Sequence, residues 1–260
     1  MPIAVFFFFL CSIFPVTIAA APADSVRGRE VAEQAFRSHF NYRDVNAHFK
    51  MIVQTPERTA QREGIAKAML LDQGRSYSLV TMTQPKDILG YSLLTHSYSD
   101  QPDDQWLYKH SSRKTVRLNA TNRGQPFLGS DFSFQDLGSP GLSKFNYHYM
   151  GEEKLNGQVC LVIERLPTLE NTGYSRQLVY YHKEHLYPLR IIYYDNSGQR
   201  LKTQDYLDYQ LLDRKHWRAL ENRMTHHARN TSTRLLWSGI HFDTGLTEKD
   251  FQVSVLTRRR

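Results

Sequence analysis

Only two cysteines, Cys11 and Cys160, occur in the 260 residues. That scarcity excludes a disulfide-rich scaffold and a cysteine-based zinc module. The mean hydropathy of −0.54 excludes a polytopic membrane protein. No GxSxG elbow, P-loop or GxGxxG fingerprint is present, so the familiar hydrolase, nucleotide and dinucleotide signatures are missing. What the chain does contain is 40% hydrophobic, 12% aromatic and 23% charged residues, a composition that is neither disordered nor collagen-like nor coiled-coil. Lys and Arg number 33 against 26 Asp and Glu, a net charge of +7.

Residues 3–21 carry no charge and run from a Phe-rich core through Pro15 to Ala19-Ala20-Ala21. An apolar core, a helix-breaking proline and small residues at the end read as a secretory signal peptide cleaved near residue 21, with an uncleaved anchor as the alternative. Export then predicts a periplasmic chain of residues 22–260 forming one domain. Cleavage removes Cys11, leaving Cys160 within the apolar run QVCLVIER, where a buried structural thiol is expected.

Asp24 and Ser25 are positioned to cap a helix through about Phe40, with Val26, Val31, Ala35 and Phe36 close to one face and Gly28 as a weak point. From Val45 the period becomes two, and short runs bounded by turn residues follow to Phe242. Asn156-Gly157 and Asn196-Ser197-Gly198 are hairpin chemistry. Without long helical patterns between the runs, a parallel βαβ arrangement is excluded. The expected fold is mainly β (α+β), a large curved antiparallel sheet of eleven or more strands forming an incomplete barrel. Residues 125–138 break the rhythm and are expected to form a short lid helix across the sheet, capped by Ser130 or Asp131, with plugging of the core as the alternative role.

Five segments carry a family resemblance: WLYKHSSRKTVRL (106–118), FLGSDFSFQDL (127–137), YHYMGEEKLNGQVCLVIER (147–165), YYHKEHLYPLRIIYYDNSGQRLKT (180–203) and FDTGLTEKDFQVSVL (242–256). In order, they resemble the periplasmic outer-membrane lipoprotein-sorting family, which is similar in fold to the lipoprotein carrier LolA. The Gly-Ser-Asp-Phe-Ser block is the most specific of these features. The resemblance implies a half-barrel with helices over its open side, LolA/LolB-like, binding an acyl chain of a lipoprotein or phospholipid. It supplies no residue-level binding motif.

Candidate cavity or lid residues therefore come from pattern: Phe127, Phe132 and Phe134 in the lid, Trp106 and Tyr108 on one strand face, Tyr193 with Leu189 and Ile191, and Phe242 with Leu236 and Ile240. For each, an ordinary core position is the competing role. His182-x-x-His185 and His226-His227 match no zinc spacing and read as turn and strand-surface residues, so no metal and no cofactor is expected. Ser130 has no assignable catalytic partner, so no enzyme is expected. In an exported chain, the basic residues Arg113, Lys114, Arg117 and Arg258-Arg259-Arg260 point to anionic lipid headgroups or to solubility rather than nucleic acid. The expected function is a monomeric carrier or chaperone of acyl chains, with an inner-membrane transporter as possible partner. The alternative is an interaction or sensor module serving a lipid exporter without cargo of its own.

Overall fold

The computed structural model describes residues 22–139, 141–170 and 172–258, so residues 1–21, where a signal peptide is expected, lie outside the described residues. It opens with a helix, α1 (Pro22–His39), followed by thirteen strands. Six come first: β1 (Asp44–Gln54), β2 (Thr59–Leu70), β3 (Ser76–Gln84), β4 (Ser92–Ser97), β5 (Asp104–Lys109) and β6 (Lys114–Arg117). Seven follow a long crossover: β7 (Phe145–Leu155), β8 (Gln158–Pro167), β9 (Arg176–His182), β10 (Pro188–Tyr194), β11 (Arg200–Leu212), β12 (His216–His226) and β13 (Thr231–Phe242).

All thirteen belong to one antiparallel sheet in the order 6-5-4-3-2-1-13-12-11-10-9-8-7. The two meanders meet where β1 pairs with β13, which leaves β6 and β7 as the edges. The sheet is an unclosed barrel, and the described part of the chain between those edges, residues 118–139 and 141–144, crosses its open side. Local chemistry sets the hairpins: Asn156 and Gly157 both adopt positive φ, at 51° and 84°, giving the tight β7–β8 connection. At the β10–β11 turn, the Asp195 carboxylate accepts from the backbone N–H groups of Ser197 and Gln199, both at 2.9 Å.

Helix α1 lies on the concave face. Its buried stripe is Gly28, Val31, Ala32 and Ala35, at helical spacing, while Val26 is exposed. Gly28 has a packing reason rather than being a weak point, because a Cβ there would stand 2.8 Å from the backbone of His148 and Tyr149 on β7. The close approach also sets Arg27 over the Tyr149 ring at 3.9 Å.

The larger core cluster lies on this concave face, from Phe49, Met82, Leu93 and Leu107 to Ile163 and Val179. Strand alternation puts a second cluster on the opposite face, where Leu79, Leu94 and Tyr108 are covered by Phe251 and Leu256 from the C-terminal segment. Cys160 is fully buried in β8, and burial pushes its thiol pKa upward, as befits a structural residue.

Burial, with Arg218 beside it, lowers the His39 pKa from 6.5 to about 3. Unfolding therefore takes up a proton between those values, and stability falls as the pH drops from 6.5 towards 3, by up to about 1.4 kcal/mol per unit. Urea unfolding at about pH 7 and about pH 5 is expected to show this loss in the wild type and a smaller one in His39→Gln. An equal loss in both proteins would contradict the assignment.

Candidate functional site

Between α1, the crossover segment and the concave sheet lies a cavity of about 470 Å³, within the size range of small-molecule sites. Its wall is largely apolar. Ala32, Ala35 and Phe36 form the helix side, and Val80, Ile191 and Trp237 are among the sheet residues facing them.

The lid is a folded strap rather than one helix. Residues Phe127–Gly129 and Phe134–Leu137 form two 3-10 turns, and Phe127 N–H donates to the Phe132 carbonyl at 2.8 Å between them. Ser133, not Ser130 or Asp131, caps the second turn, in a reciprocal capping box with Asp136. Asp131 is unavailable for capping because both its oxygens accept hydroxyl bonds from β13, from Thr231 and, at 2.7 Å, from Thr233. Ser130 is buried and its hydroxyl donates to the Phe132 carbonyl at 3.2 Å.

Polar anchors tie this strap to both meanders. Gln105 on β5 donates to the Phe134 carbonyl at 2.9 Å. Lys202 on β11 donates to the Asp131 carbonyl at 3.2 Å and forms an ion pair with Asp136. That pair is almost wholly buried, with side-chain exposures of 4% and 3%. Tyr174 adds a hydroxyl bond to Asp136 at 2.7 Å, and its own pKa is raised well above the ordinary value by burial and by the Asp136 charge. A second pair, Lys144 with Asp103, holds the end of the crossover.

The structure places the candidate residues in four locations. Phe132 and Tyr193 line the cavity. Phe127 and Phe134 are buried in the core beneath the lid, with ring centroids 5.7 Å apart. Trp106 and Tyr108 lie on the opposite sheet face, in or against the second cluster. Phe242 packs on His216 at 4.1 Å and Tyr42 at 5.3 Å, beyond the C-terminal end of α1. Ile191 joins Tyr193 in the cavity, but a register shift between Pro188 and Arg190 puts Pro188 in the wall instead of Leu189. The His182 and His185 rings stack at 5.0 Å, and His185 also stacks on Trp217. Among the described residues, no group of three His, Cys, Asp or Glu side chains is arranged to hold a metal ion.

Pattern reading passed over Arg165. It follows Leu161 and Ile163 on the inward register of β8, is 9% exposed and lines the cavity. A charged residue continuing an apolar strand face was the available signal.

Residues 74–258 match a family model described only as an uncharacterized protein. A domain named as an outer membrane lipoprotein-sorting protein, from Vibrio parahaemolyticus, is 34% identical, with a TM-score of 0.88 over 90% of this chain and 100% of its own. A DUF1329 family protein from Desulfovibrio piger is 25% identical, with a TM-score of 0.86 over 90% of this chain and 99% of its own. A LolA superfamily protein from Nitrosomonas europaea, 17% identical, shares the fold with a TM-score of 0.70 over 88% and 98% of the two chains. No curated protein is significantly similar in sequence. These likenesses define a LolA-like half-barrel. Within that class, the chain belongs to the family of the Vibrio lipoprotein-sorting domain.

Replacing Lys202 by Met would leave the Asp136 carboxylate buried without its charge partner, and urea unfolding is expected to show a loss of about 3–5 kcal/mol. Amide exchange at residues 125–137 is expected to accelerate more than in the β1–β13 pair. Uniform exchange changes with little loss of stability would show that the ion pair does not hold the lid.

Proposed function

We propose that this chain is a non-enzymatic carrier or chaperone in a bacterial envelope, exported by its leader to the periplasm, that shelters acyl chains of lipoproteins or phospholipids. The observation that carries this reading is the apolar cavity between helix, lid and concave sheet. Each methylene moved from water into such a wall contributes about 0.8 kcal/mol, so one long chain offers several kcal/mol before ordering costs. The kinship with the Vibrio domain named for lipoprotein sorting supports the same cargo. Ser130 is buried with its hydroxyl on the Phe132 carbonyl, which supports a structural role for that serine. Residues 22–260 act as one monomeric domain, handing cargo to or from a membrane partner such as an inner-membrane transporter.

A partner-binding module without cargo is the second reading. It is favoured by Val116 and Met150, hydrophobic side chains 48% and 53% exposed on the two edge strands β6 and β7, where a partner strand would find free backbone groups.

Enlarging a small wall residue separates the two. Ala35→Trp from the helix side and Ala66→Trp from the sheet side both put bulk into the cavity. Titration with a fluorescent acyl probe is expected to give saturable one-to-one binding to the wild type, weakened at least about tenfold in both variants. Saturable binding that both variants retain in full would place the probe elsewhere, and no binding to the wild type would leave the cargo-free reading.

A further inference from the structure

We infer that the cavity selects amphiphiles whose polar end is an anion, a carboxylate or a phosphate, and that Arg165 receives that charge. This inference rests on the carrier reading and names its substrate class.

Arg165 is a buried cation without a counter-ion among the described residues. One guanidinium nitrogen donates to the Tyr181 hydroxyl, and the group lies over the Phe145 and Tyr181 rings at 5.7 and 5.8 Å. Its Nε is buried and has no hydrogen-bond partner among the described residues, and no carboxylate forms an ion pair with it there. A guanidinium has five N–H donors, and among the described residues this one uses a single donor, to Tyr181. The nearby acids are committed or distant from this role. Asp103 pairs with Lys144, Asp136 with Lys202, and Glu33 on α1 with Arg29 and Arg37. Glu170 lines the cavity but is exposed to water.

The tyrosines around Arg165 do not supply the missing charge. Burial raises the Tyr147 pKa to about 12 and raises that of Tyr206 as well, so both are neutral phenols at physiological pH. Neutral phenols are donors to an oxyanion, not substitutes for one. At the lid, Arg123 lines the same cavity, and its Nε is also buried without a hydrogen-bond partner among the described residues.

A buried charge is tolerated when paired, and the fork of a guanidinium matches the two oxygens of a carboxylate or phosphate. A ligand that brings both an acyl chain and an oxyanion satisfies the apolar wall and Arg165 together. A neutral alcohol of the same chain length satisfies only the wall.

The test measures the affinity of hexadecanoate, hexadecyl phosphate, hexadecanol and inorganic phosphate for the full-length mature protein, for Arg165→Gln and for Arg165→Lys. At about pH 7.5, at least one anionic amphiphile is expected to bind the wild type about tenfold or more tightly than hexadecanol. Whether hexadecanoate or hexadecyl phosphate is preferred identifies the source of the oxyanion as a fatty acid or a phosphate headgroup, and either preference supports the inference. Arg165→Gln is expected to erase the difference by weakening binding of the anionic chains, and Arg165→Lys to keep part of it. Free phosphate is expected not to displace hexadecanol. Equal wild-type affinities for anionic and neutral chains would overturn the inference while sparing the carrier reading, and that comparison stands even if the variants do not fold. A preference that survives in Arg165→Gln would also overturn it. Failure of every amphiphile to bind would instead remove the carrier reading beneath it.

Discussion

Lys202 and Asp136 form an ion pair almost wholly buried between the sheet and the strap that crosses its open side. The rest of the architecture depends on it because the thirteen-stranded sheet does not close: β6 and β7 remain edges, joined only through residues 118–144. A crossover of that length held by apolar contact alone would collapse into the concavity. Instead, Lys202 reaches both the Asp131 carbonyl and the Asp136 carboxylate, Gln105 holds the Phe134 carbonyl from the other meander, and the β13 threonines hold Asp131. Charged groups that are desolvated tolerate little displacement, since separating them leaves each buried and unpaired. The strap is thereby fixed at its polar residues and filled in by Phe127 and Phe134, and room for a cavity survives beside it.

That division of labour explains why the fold was so legible and the site less so. Period-two runs and Asn-Gly turns are local signals, and they map onto the observed strands and hairpins because each hairpin is set by its own turn residues. The block GSDFSFQDL marked the segment that departs from the strand rhythm, yet its aspartates serve as anchors to distant strands, a role that sequence spacing does not encode. Pattern also showed that Trp106 and Tyr108 share a face but not which face is concave. That follows from where α1 and the C-terminal segment dock. A register shift moved Leu189 off the face of Tyr193, a one-residue change that alternation alone does not foresee. Arg165 was hidden for a different reason. On paper it is the charged end of a strand, and only the cavity around it reveals that its charge is enclosed.

The chemistry of the enclosure is consistent across its parts. Small alanines on α1 leave space, Gly28 lets the helix approach β7 without closing that space, and of the acids lining it Asp103 and Asp136 are paired with lysines while Glu170 faces water. What remains is an apolar volume with a surplus of positive charge, the complement of a chain with a negative end. The central claim is that this volume carries an acyl ligand. Its most direct test is native mass spectrometry of the protein purified from the envelope under mild conditions, followed by organic extraction. The account predicts a one-to-one mass excess that extraction removes and that is identified as an acyl-chain amphiphile. A bare polypeptide mass before and after extraction, from protein that also fails to take up added hexadecanoate, would contradict it.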